Sequence, residues 1–361
     1  MSGAKTVVVK VGSSSVTPDT VARLGEEIAH ARAQSHTVVV VTSGAIAAGW
    51  EAVGAGRPRP TDPIRLQAVS AVGQHRLMRM WQDALEPHGL IVGQVLLAPL
   101  DFMYRMQYLR ARDTLHSLIG LEVIPIINEN DAVADEEIRF GDNDRLAALV
   151  SHLVGAQLLV LLTDAPGLLT GDPKLFTEAS LIEEVIEIDQ QLEQVAGGSG
   201  SAVGSGGMAS KLAAAKIATW SGVQTVIADA SRPGVVGAAL EDAPGVGTIF
   251  RARDGRKLSA RKLWIAFALG SSGLLTVDDG ARRALIGGKS SLLGAGVTEC
   301  RGSFEPEDAV EIAGPDGKVF AKGLVKVPSD RSAEWLGQRS EQLPDDLPPV
   351  VVHRDDLVLV T

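Results

Sequence analysis

A lysine stands at the end of the first apolar stretch of the chain, beside a run of small polar residues. Lys10 lies in VVVKVGSSS, so that Gly12 and three serines follow it almost at once. An ammonium group is costly to bury unless an anion pairs with it. Lys10 could also be a surface lysine at a strand terminus, but a turn with free backbone N–H groups near a helix start attracts phosphate. The stretch therefore points to an anion site.

The second apolar stretch ends in similar chemistry. VVTSGAIAAG carries Thr42, Ser43 and Gly44 straight into a helical pattern. Taken alone, Ser43 is better explained as a helix N-cap. Two successive strand ends of this kind favour an anion site, because ligands of open α/β sheets bind outside the carboxyl ends of the strands.

Carboxylates and amides cluster in INENDAVADEEIRFGDNDRLAALV, residues 127–150. Such residues also form surface turns and helix caps. A site for an amino-acid substrate, however, needs acceptors for the α-ammonium group and amide donors for carboxylates. Asp131 and Asn143 supply these two types of group.

Two later stretches could contact a nucleotide. Thr163 and Asp164 follow a strand pattern in LLTDAPGLLTGDP and could line a ribose or adenine. Residues 197–210 contain six glycines and four serines, which would suit a flexible linker, but they interrupt an α/β unit, and this favours a ligand loop. The Walker A spacing is not met. Lys211 follows at the start of a helix, where the dipole disfavours a cation unless an anion lies near.

The elements that must position these residues alternate between strand and helix. Continuous apolar runs predict buried strands, and amphipathic periods between them predict helices. This alternation indicates an α/β fold, a three-layer sandwich with a mainly parallel central sheet. The predicted strands are Thr6–Val11, Thr37–Thr42, Val123–Asn128, Leu158–Thr163 and Gln224–Asp229, and the helices include Thr20–Ala33, Leu66–Leu85 and Asp144–Leu153.

The pattern changes near the charged stretch Arg251–Lys262. Short strand-like pieces with turn signals follow, among them GPDG between two alternating runs, which predicts a hairpin. We therefore expect a catalytic domain over residues 1–253, and a linker with a small β-rich domain over residues 254–361.

Composition excludes several classes of protein. The net charge of −10 over 361 residues argues against bulk affinity for nucleic acid. No stretch approaches the roughly 18 apolar residues of a membrane span, and no signal peptide is recognisable. The single cysteine, Cys300, excludes an internal disulfide framework and fits a cytoplasmic protein.

Taken together, the motifs resemble those of the glutamate 5-kinases, a group within the amino-acid kinase family. The ordered set is VVKVGSSS, VTSGAIAAG, INENDAVA, FGDNDRL, LLTDAPGL followed by DP, and GSGGMASKLAAA. It spans nearly all of residues 5–250. The tail, with LTVDDGARRAL, GKSSLL and VVVHRDDLVLV, is similar to the PUA domain that many of these enzymes carry.

The resemblance implies roles for individual residues. Lys10, Asp144 and Lys211 would be catalytic, with Asp144 orienting the two lysines. Asp142, two residues earlier, is a second candidate for this orienting role. Ser43, Asp131 and Asn143 would bind the amino-acid substrate. The nucleotide contacts would be Lys10, Thr163, Asp164, Ser205, Gly206, Gly207, Met208, Ala209, Ser210 and Lys211. No direct metal ligand is assigned. Leu169 and Arg139 depart from the common pattern, in which tyrosine and lysine are frequent.

The resemblance further implies the fold, the reaction and the partners. The fold would be the amino-acid kinase fold with a PUA-like domain, and the activity ATP-dependent phosphorylation of L-glutamate with Mg²⁺. Proline feedback inhibition and a homo-oligomer are also implied. Two alternatives stay open. One is another activity of the family, on aspartate, acetylglutamate, carbamate or uridylate. The other is RNA binding through the PUA-like domain, against which the acidic charge of both halves argues.

Overall fold

The chain forms two compact units, Met1–Lys257 and Leu258–Thr361. The computed structural model describes residues 3–133, 143–171, 179–189, 192–193, 207–253, 258–288 and 290–360. Since residues 254–257 lie outside these ranges, the domain boundary after residue 253 stays a prediction.

The first unit is built on one eight-stranded sheet, ordered β3-β4-β2-β1-β5-β7-β8-β6. Its strands are β1 Thr6–Val11, β2 Thr37–Val41, β3 Val92–Leu97, β4 Ile124–Glu129, β5 Leu158–Thr163, β6 Glu184–Val185, β7 Gln224–Asp229 and β8 Thr248–Phe250. All pairings are parallel except that of β7 with β8. The predicted α/β fold with a mainly parallel sheet is confirmed.

Helices cover both faces of this sheet. They are α1 Pro18–Ala33, α2 Ala45–Val53, α3 Pro63–Leu85, α4 Leu100–Met103, α5 Arg105–Gly120, α6 Asn143–Leu153, α7 Met208–Trp220 and α8 Val235–Leu240, with a 3-10 turn at Glu86–His88. Val7, Val9 and Val11 of β1 share one core with α1, α3 and α8. Lys10 alternates to the opposite face, where α6 packs on β1 and against α7. This alternation directs Lys10 toward the helices that carry Asp144 and Lys211.

The five predicted strands are present with closely similar bounds, whereas β3, β6 and β8 were not predicted. The three predicted helices all begin earlier than predicted, α6 by one residue and α1 and α3 by a larger margin. The Oγ1 atom of Thr17 accepts a hydrogen bond from the amide of Thr20 at 3.2 Å, and Pro18 occupies the first helical position. Asp62 caps α3 in the same way, ahead of Pro63. Proline at the first position costs no hydrogen bond there, so these helices begin before their apolar periodicity does.

The second unit is a β-rich domain. Its six-stranded sheet has the order β10-β14-β13-β12-β9-β11. The elements are α9 Ala260–Leu263, a π-helical turn Trp264–Ala268, β9 Gly273–Val277, α10 Asp279–Ile286, β10 Leu292–Leu293, a 3-10 turn Gly294–Gly296, β11 Val297–Gly302, β12 Ala309–Ala313, β13 Val319–Val325, α11 Ser332–Trp335, a 3-10 turn Ser340–Gln342 and β14 Val350–Leu359.

The predicted hairpin lies between β12 and β13, which pair antiparallel. The amide of Gly314 donates to the carbonyl of Lys318 at 3.0 Å, and Gly317 has a φ of +73°, a conformation that favours glycine. The hairpin prediction is thus confirmed. None of the described helices, in either unit, is long and apolar enough to cross a membrane.

Candidate active site

A buried carboxylate joins two lysines that are far apart in sequence. Asp144 is the second residue of α6, and its side chain is fully buried. Its Oδ1 atom pairs with the Nζ atom of Lys10, near the end of β1. Its Oδ2 atom lies 3.1 Å from the Nζ atom of Lys211, in the first turn of α7. One carboxylate thus fixes both ammonium groups, and three elements meet at this point.

The electrostatics of this group favour the ionised carboxylate. Burial alone raises the pKa of Asp144, but the charges and hydrogen bonds of Lys10 and Lys211 outweigh it and leave the pKa below its ordinary value. One carboxylate facing two ammonium groups leaves an excess of one positive charge. Asp144 also supplies the anion that a lysine in the first turn of α7 needs, because the helix dipole disfavours a cation there.

The start of α7 is tied to the same carboxylate. The hydroxyl of Ser210 lies 3.0 Å from Oδ2 of Asp144 and 2.9 Å from the carbonyl oxygen of Gly207. Gly207 is the N-cap of α7, and no side chain of the described residues caps this helix. The amide of Ser210 donates to the carbonyl oxygen of Gly207 at 3.2 Å, which leaves the amides of Met208 and Ala209 as the helix N-terminal donors that an anionic ligand could use.

Asn143 connects the ends of two strands. Its Nδ2 group donates to the carbonyl oxygen of Thr42 at 2.5 Å and to Oδ1 of Asn128 at 2.6 Å. The Oδ1 atom of Asn128 also accepts from the amide of Glu129 at 2.9 Å. Both amide hydrogens of Asn143 are thus directed at protein acceptors. Its role as a donor to a substrate carboxylate stays a prediction, which requires one of these partners to be exchanged.

Ser43 does not cap the helix that follows it. The N-cap of α2 is Gly44, which has a left-handed φ of +98°, and among the described residues no side chain caps α2. The alternative explanation of Ser43 as an N-cap is therefore wrong. Ser43 stands one residue before this N-cap and lines a cavity.

A cavity of about 600 Å³ opens beside these groups, within the roughly 300–1,000 Å³ typical of small-molecule sites. It brings together predicted residues from five separate stretches: Lys10, Ser43, Asp131, Asn143, Thr163, Asp164 and Lys211. Asp144 does not line the cavity itself, but it pairs with Lys10 and Lys211, which do. At the end of β5, the hydroxyl of Thr163 donates to Oδ1 of Asp164 at 3.1 Å.

Other predicted residues do not line this cavity or lie outside the described chain. The N-terminus of α7 does not line the cavity before Lys211, and this applies to Gly207, Met208, Ala209 and Ser210. Leu169 forms an isolated bridge with Leu181. The predicted contacts Ser205 and Gly206, together with Arg139 and Asp142, fall outside the described residues.

The cavity also has lining residues to which the sequence assigned no role. Asn128 and Glu129 both line it from the end of β4. Their place directly after an apolar run is the signal that could have identified them. Arg59 is an exposed lining residue in the segment GRPRPTDP, which has no helical or strand period to indicate where it points.

The acidic side chains at the cavity indicate how a divalent cation could be held. Among the described residues no group of three or more acidic, histidine or cysteine side chains is gathered as a metal cage. Asp131, Glu129 and Asp164 line the cavity as separate oxygen donors. Mg²⁺ often keeps several waters and binds through substrate phosphates, so this lining fits a cation carried by a nucleotide.

Comparisons with known proteins cover nearly the whole chain. Residues 5–229 match the amino acid kinase family, and residues 273–345 match the PUA domain. A glutamate 5-kinase of Pelobacter propionicus is 44% identical over 367 residues, which covers 99% of this chain and 98% of that protein. Glutamate 5-kinases of Mycobacterium ulcerans and Klebsiella pneumoniae are 44% and 42% identical, with 99% of this chain covered in each case and 97% and 100% of those proteins.

Proposed function

Because the chain belongs to the amino acid kinase family, we propose that it transfers the γ-phosphoryl group of ATP to the γ-carboxylate of L-glutamate. The product is L-glutamyl 5-phosphate, which enters proline biosynthesis. The observation that carries the chemistry is the pairing of Lys10 and Lys211 on Asp144 at the wall of the cavity. The choice of glutamate rests on the similarity to glutamate 5-kinases over the full length.

The reaction needs charge neutralisation more than proton transfer. A glutamate side chain has an unperturbed pKa of about 4.3, so its carboxylate is already the nucleophile at pH 7. One of its oxygens attacks the γ-phosphorus, and the bond to the β,γ-bridging oxygen breaks as ADP leaves. The difficulty is that an anion must approach a polyanion, so catalysis consists of alignment and electrostatic stabilisation.

The lysine pair meets this need. Lys10 and Lys211 are nearly buried, so their charges act on the transferring group with little screening by water. Asp144 holds both ammonium groups in place, and we assign the backbone amides at the start of α7 to the phosphates of the nucleotide. Mg²⁺ bound to the nucleotide would supply further positive charge on the phosphates.

The opposite side of the cavity suits an amino acid. Asp131 offers a carboxylate for the α-ammonium group, and Ser43 offers a hydroxyl for a carboxylate. Asn143 would donate to a carboxylate in exchange for one of its two protein acceptors. Thr163 and Asp164 lie at the end of β5, where we place the nucleotide rim together with the residues 205–211. We further propose that proline occupies the amino-acid end, since it has the α-carboxylate and a charged amine but no γ-carboxylate to react.

The decisive experiment is ADP release from Mg-ATP in the presence of glutamate, aspartate, acetylglutamate, carbamate or uridylate. We expect turnover with glutamate and little with the other acceptors. Hydroxylamine should convert the acyl phosphate product into a hydroxamate, which identifies it. If another acceptor is phosphorylated in preference to glutamate, the protein has a different activity of the family. Proline should raise the apparent KM for glutamate without lowering the maximal rate, and inhibition that saturating glutamate cannot relieve would refute a shared site.

Nucleic-acid binding and assembly are separate questions. From Asp254 onward the chain has 14 Lys and Arg against 16 Asp and Glu, a net of −2, and the remainder has 20 against 28, a net of −8. Neither part carries the positive charge that binds a phosphate backbone, so we do not propose an RNA-binding role. We propose a homo-oligomer and a cytoplasmic location, and sedimentation and fractionation test these two proposals.

A further inference from the structure

We propose that Ser70 is a positioning residue for the amino-acid substrate, acting through Asp131. The inference rests on the proposed function and deepens it. The juxtaposition that carries it is a buried hydroxyl on α3 that donates to Oδ2 of Asp131 at 2.6 Å, across 61 residues of sequence. Ser70 is 1% exposed and does not line the cavity itself.

The direction of this hydrogen bond is unusual for a serine within a helix. Such a hydroxyl commonly bonds to the carbonyl four residues earlier in its own helix. Ser151 in α6 does so, donating to Ala147 at 2.7 Å, and Ser117 in α5 donates to Asp113 at 2.8 Å. Ser70 instead donates across to the segment that follows β4. Its hydroxyl thus contributes to the site and not to the helix.

A second side chain on the same face of α3 holds the same segment. Gln74 lies one turn after Ser70 and is 9% exposed. Its Nε2 group donates to the carbonyl oxygen of Glu129 at 3.4 Å. The backbone of Asn130 is fixed from the other side, since its amide donates to the carbonyl of Leu97 at 2.9 Å. The backbone before Asp131 is therefore held, and Ser70 fixes the carboxylate.

A fixed carboxylate has a definite advantage for binding an ammonium group. Asp131 stands at the cavity wall, partly exposed, where its side chain would otherwise sample several rotamers. Ordering such a side chain on binding lowers affinity, and preorganisation removes that cost. With one oxygen oriented by Ser70, the carboxylate presents a set geometry to the α-ammonium group of glutamate.

The test is Ser70→Ala with Ser151→Ala as the matched control, because both remove a buried helical hydroxyl. We expect Ser70→Ala to raise the glutamate KM roughly tenfold, the scale of one hydrogen bond to a charged group. The ATP KM should change by less than about twofold, and Ser70→Thr, which keeps the hydroxyl, should restore most of the affinity. Ser151→Ala should leave both KM values unchanged. An unaltered glutamate KM in folded Ser70→Ala would overturn the proposal.

Two further measurements separate positioning from a structural role. Glutarate lacks the α-ammonium group, so its inhibition constant should be the same in the wild type and in Ser70→Ala. In an Asp131→Asn background, Ser70→Ala should raise the glutamate KM little further, because the carboxylate through which Ser70 acts is already lost. Equal weakening of glutamate and glutarate, or full additivity, would refute the role. If the wild type shows no glutamate-dependent ADP release at all, the proposed function itself has failed.

Discussion

At the scale of single residues, the site depends on a carboxylate that no solvent reaches. Burying three charged groups is costly, and the attraction between them must offset that cost. Asp144 achieves this by facing two ammonium groups, one on each oxygen. Removing the carboxylate would leave two buried like charges close together. The arrangement therefore ties the stability of the first unit to the geometry of the site.

We expect Asp144→Asn to lower both stability and turnover. The free energy of unfolding should fall by about 3 to 5 kcal/mol, the usual result of removing one partner of a buried ion pair. Asp83→Asn is the control, since Asp83 pairs with Arg79 at an exposed site at 3.8 Å, where the loss should stay below about 1 kcal/mol. Denaturant unfolding and steady-state kinetics give the two readouts. Equal losses in the two variants would contradict this account.

The ion pairs of Asp144 also predict how the stability of the first unit depends on pH. The native pKa of Asp144 lies below its ordinary value because of Lys10 and Lys211, despite the opposing effect of burial. A depressed carboxyl pKa contributes stability above the pKa of the unfolded chain, and this contribution is lost as the pH falls through the native pKa. The stability gap between wild type and Asp144→Asn should hold from pH 7 to pH 5 and shrink only below the ordinary carboxyl range. A gap that closes near pH 6 would exclude Asp144 as its source.

Lys10 should affect the chemical step more than substrate binding. Its ammonium acts on charge that is being transferred, so Lys10→Ala should reduce kcat by about a hundredfold or more. The glutamate KM should change only a few-fold. Lys216→Ala on α7 is the control, because Lys216 pairs with Glu193 at the surface at 2.6 Å. A folded Lys10→Ala enzyme with normal kcat would remove Lys10 from the catalytic role.

How far the sequence could predict the site depends on the kind of contact involved. Lys10 and Lys211 could be identified because each lysine occupies a place, a strand end and a first helical turn, that is unfavourable without an anion. That Asp144 pairs with both was implied by the resemblance to the glutamate 5-kinases and not by the spacing of the residues, because the pairing depends on the register of three elements. Ser70 carries no signal in the sequence, because an isolated serine inside an amphipathic helix is common.

At the scale of elements, α2 and α3 approach each other through glycine. A Cβ atom at Gly73 would overlap the carbonyl oxygen of Ala45, and one at Gly49 would overlap the carbonyl oxygen of Val69. Ala45 is the first residue of α2 and lines the cavity. The close approach brings the buried face of α3, with Ser70, to the site. Side chains larger than hydrogen at these two positions would separate the helices.

Gly73→Ala should therefore destabilise the first unit and displace the cavity wall. Overpacking of this kind costs about 3 kcal/mol, and the glutamate KM should rise because α2 carries the wall next to Ser43. Gly237→Ala in α8 is the matched control, since an added Cβ there meets nothing within 4 Å; it should be neutral or stabilising by up to about 1 kcal/mol. Thermal denaturation and kinetics provide the comparison. A stable, fully active Gly73→Ala would mean that α2 and α3 pack less closely than described.

The elements themselves were predicted to different degrees. The strands β1, β5 and β7 have the predicted bounds, because a strand buried on both faces reads as an uninterrupted apolar run. The strand β3 was not among the predicted ones. It lies at the edge of the sheet with most of its residues half-buried, and Gly93 and Gln94 interrupt its apolar pattern. An edge position weakens the signal on which strand prediction depends.

At the scale of the whole molecule, each unit has a core and ion pairs of its own. In the second unit, which has its own hydrophobic core, Asp356 accepts from Arg261 at 2.7 Å and pairs with Lys326 at 3.0 Å. Burial raises the pKa of Asp356, but these two partners outweigh it and lower the pKa overall. In the first unit, the amide of Arg253 donates to the carbonyl of Thr219 at 3.0 Å, and its guanidinium lies 4.3 Å from the ring of Trp220. Contacts within each unit therefore extend nearly to the boundary on both sides.

A chain that ends at residue 253 should still phosphorylate glutamate. All residues assigned to the site, from Lys10 to Lys211, precede this cut, and the contacts of Arg253 with α7 are retained. The network of Arg261, Asp356 and Lys326 is removed as a whole, so none of these three charges is separated from the other two. We expect kcat within about tenfold of the full chain, since transition-state stabilisation resides in the first unit. Proline sensitivity should change, because a packed accessory domain can bias a conformational equilibrium. Circular dichroism is the control for folding. A truncated chain that is folded yet inactive would show that the second unit completes the active site.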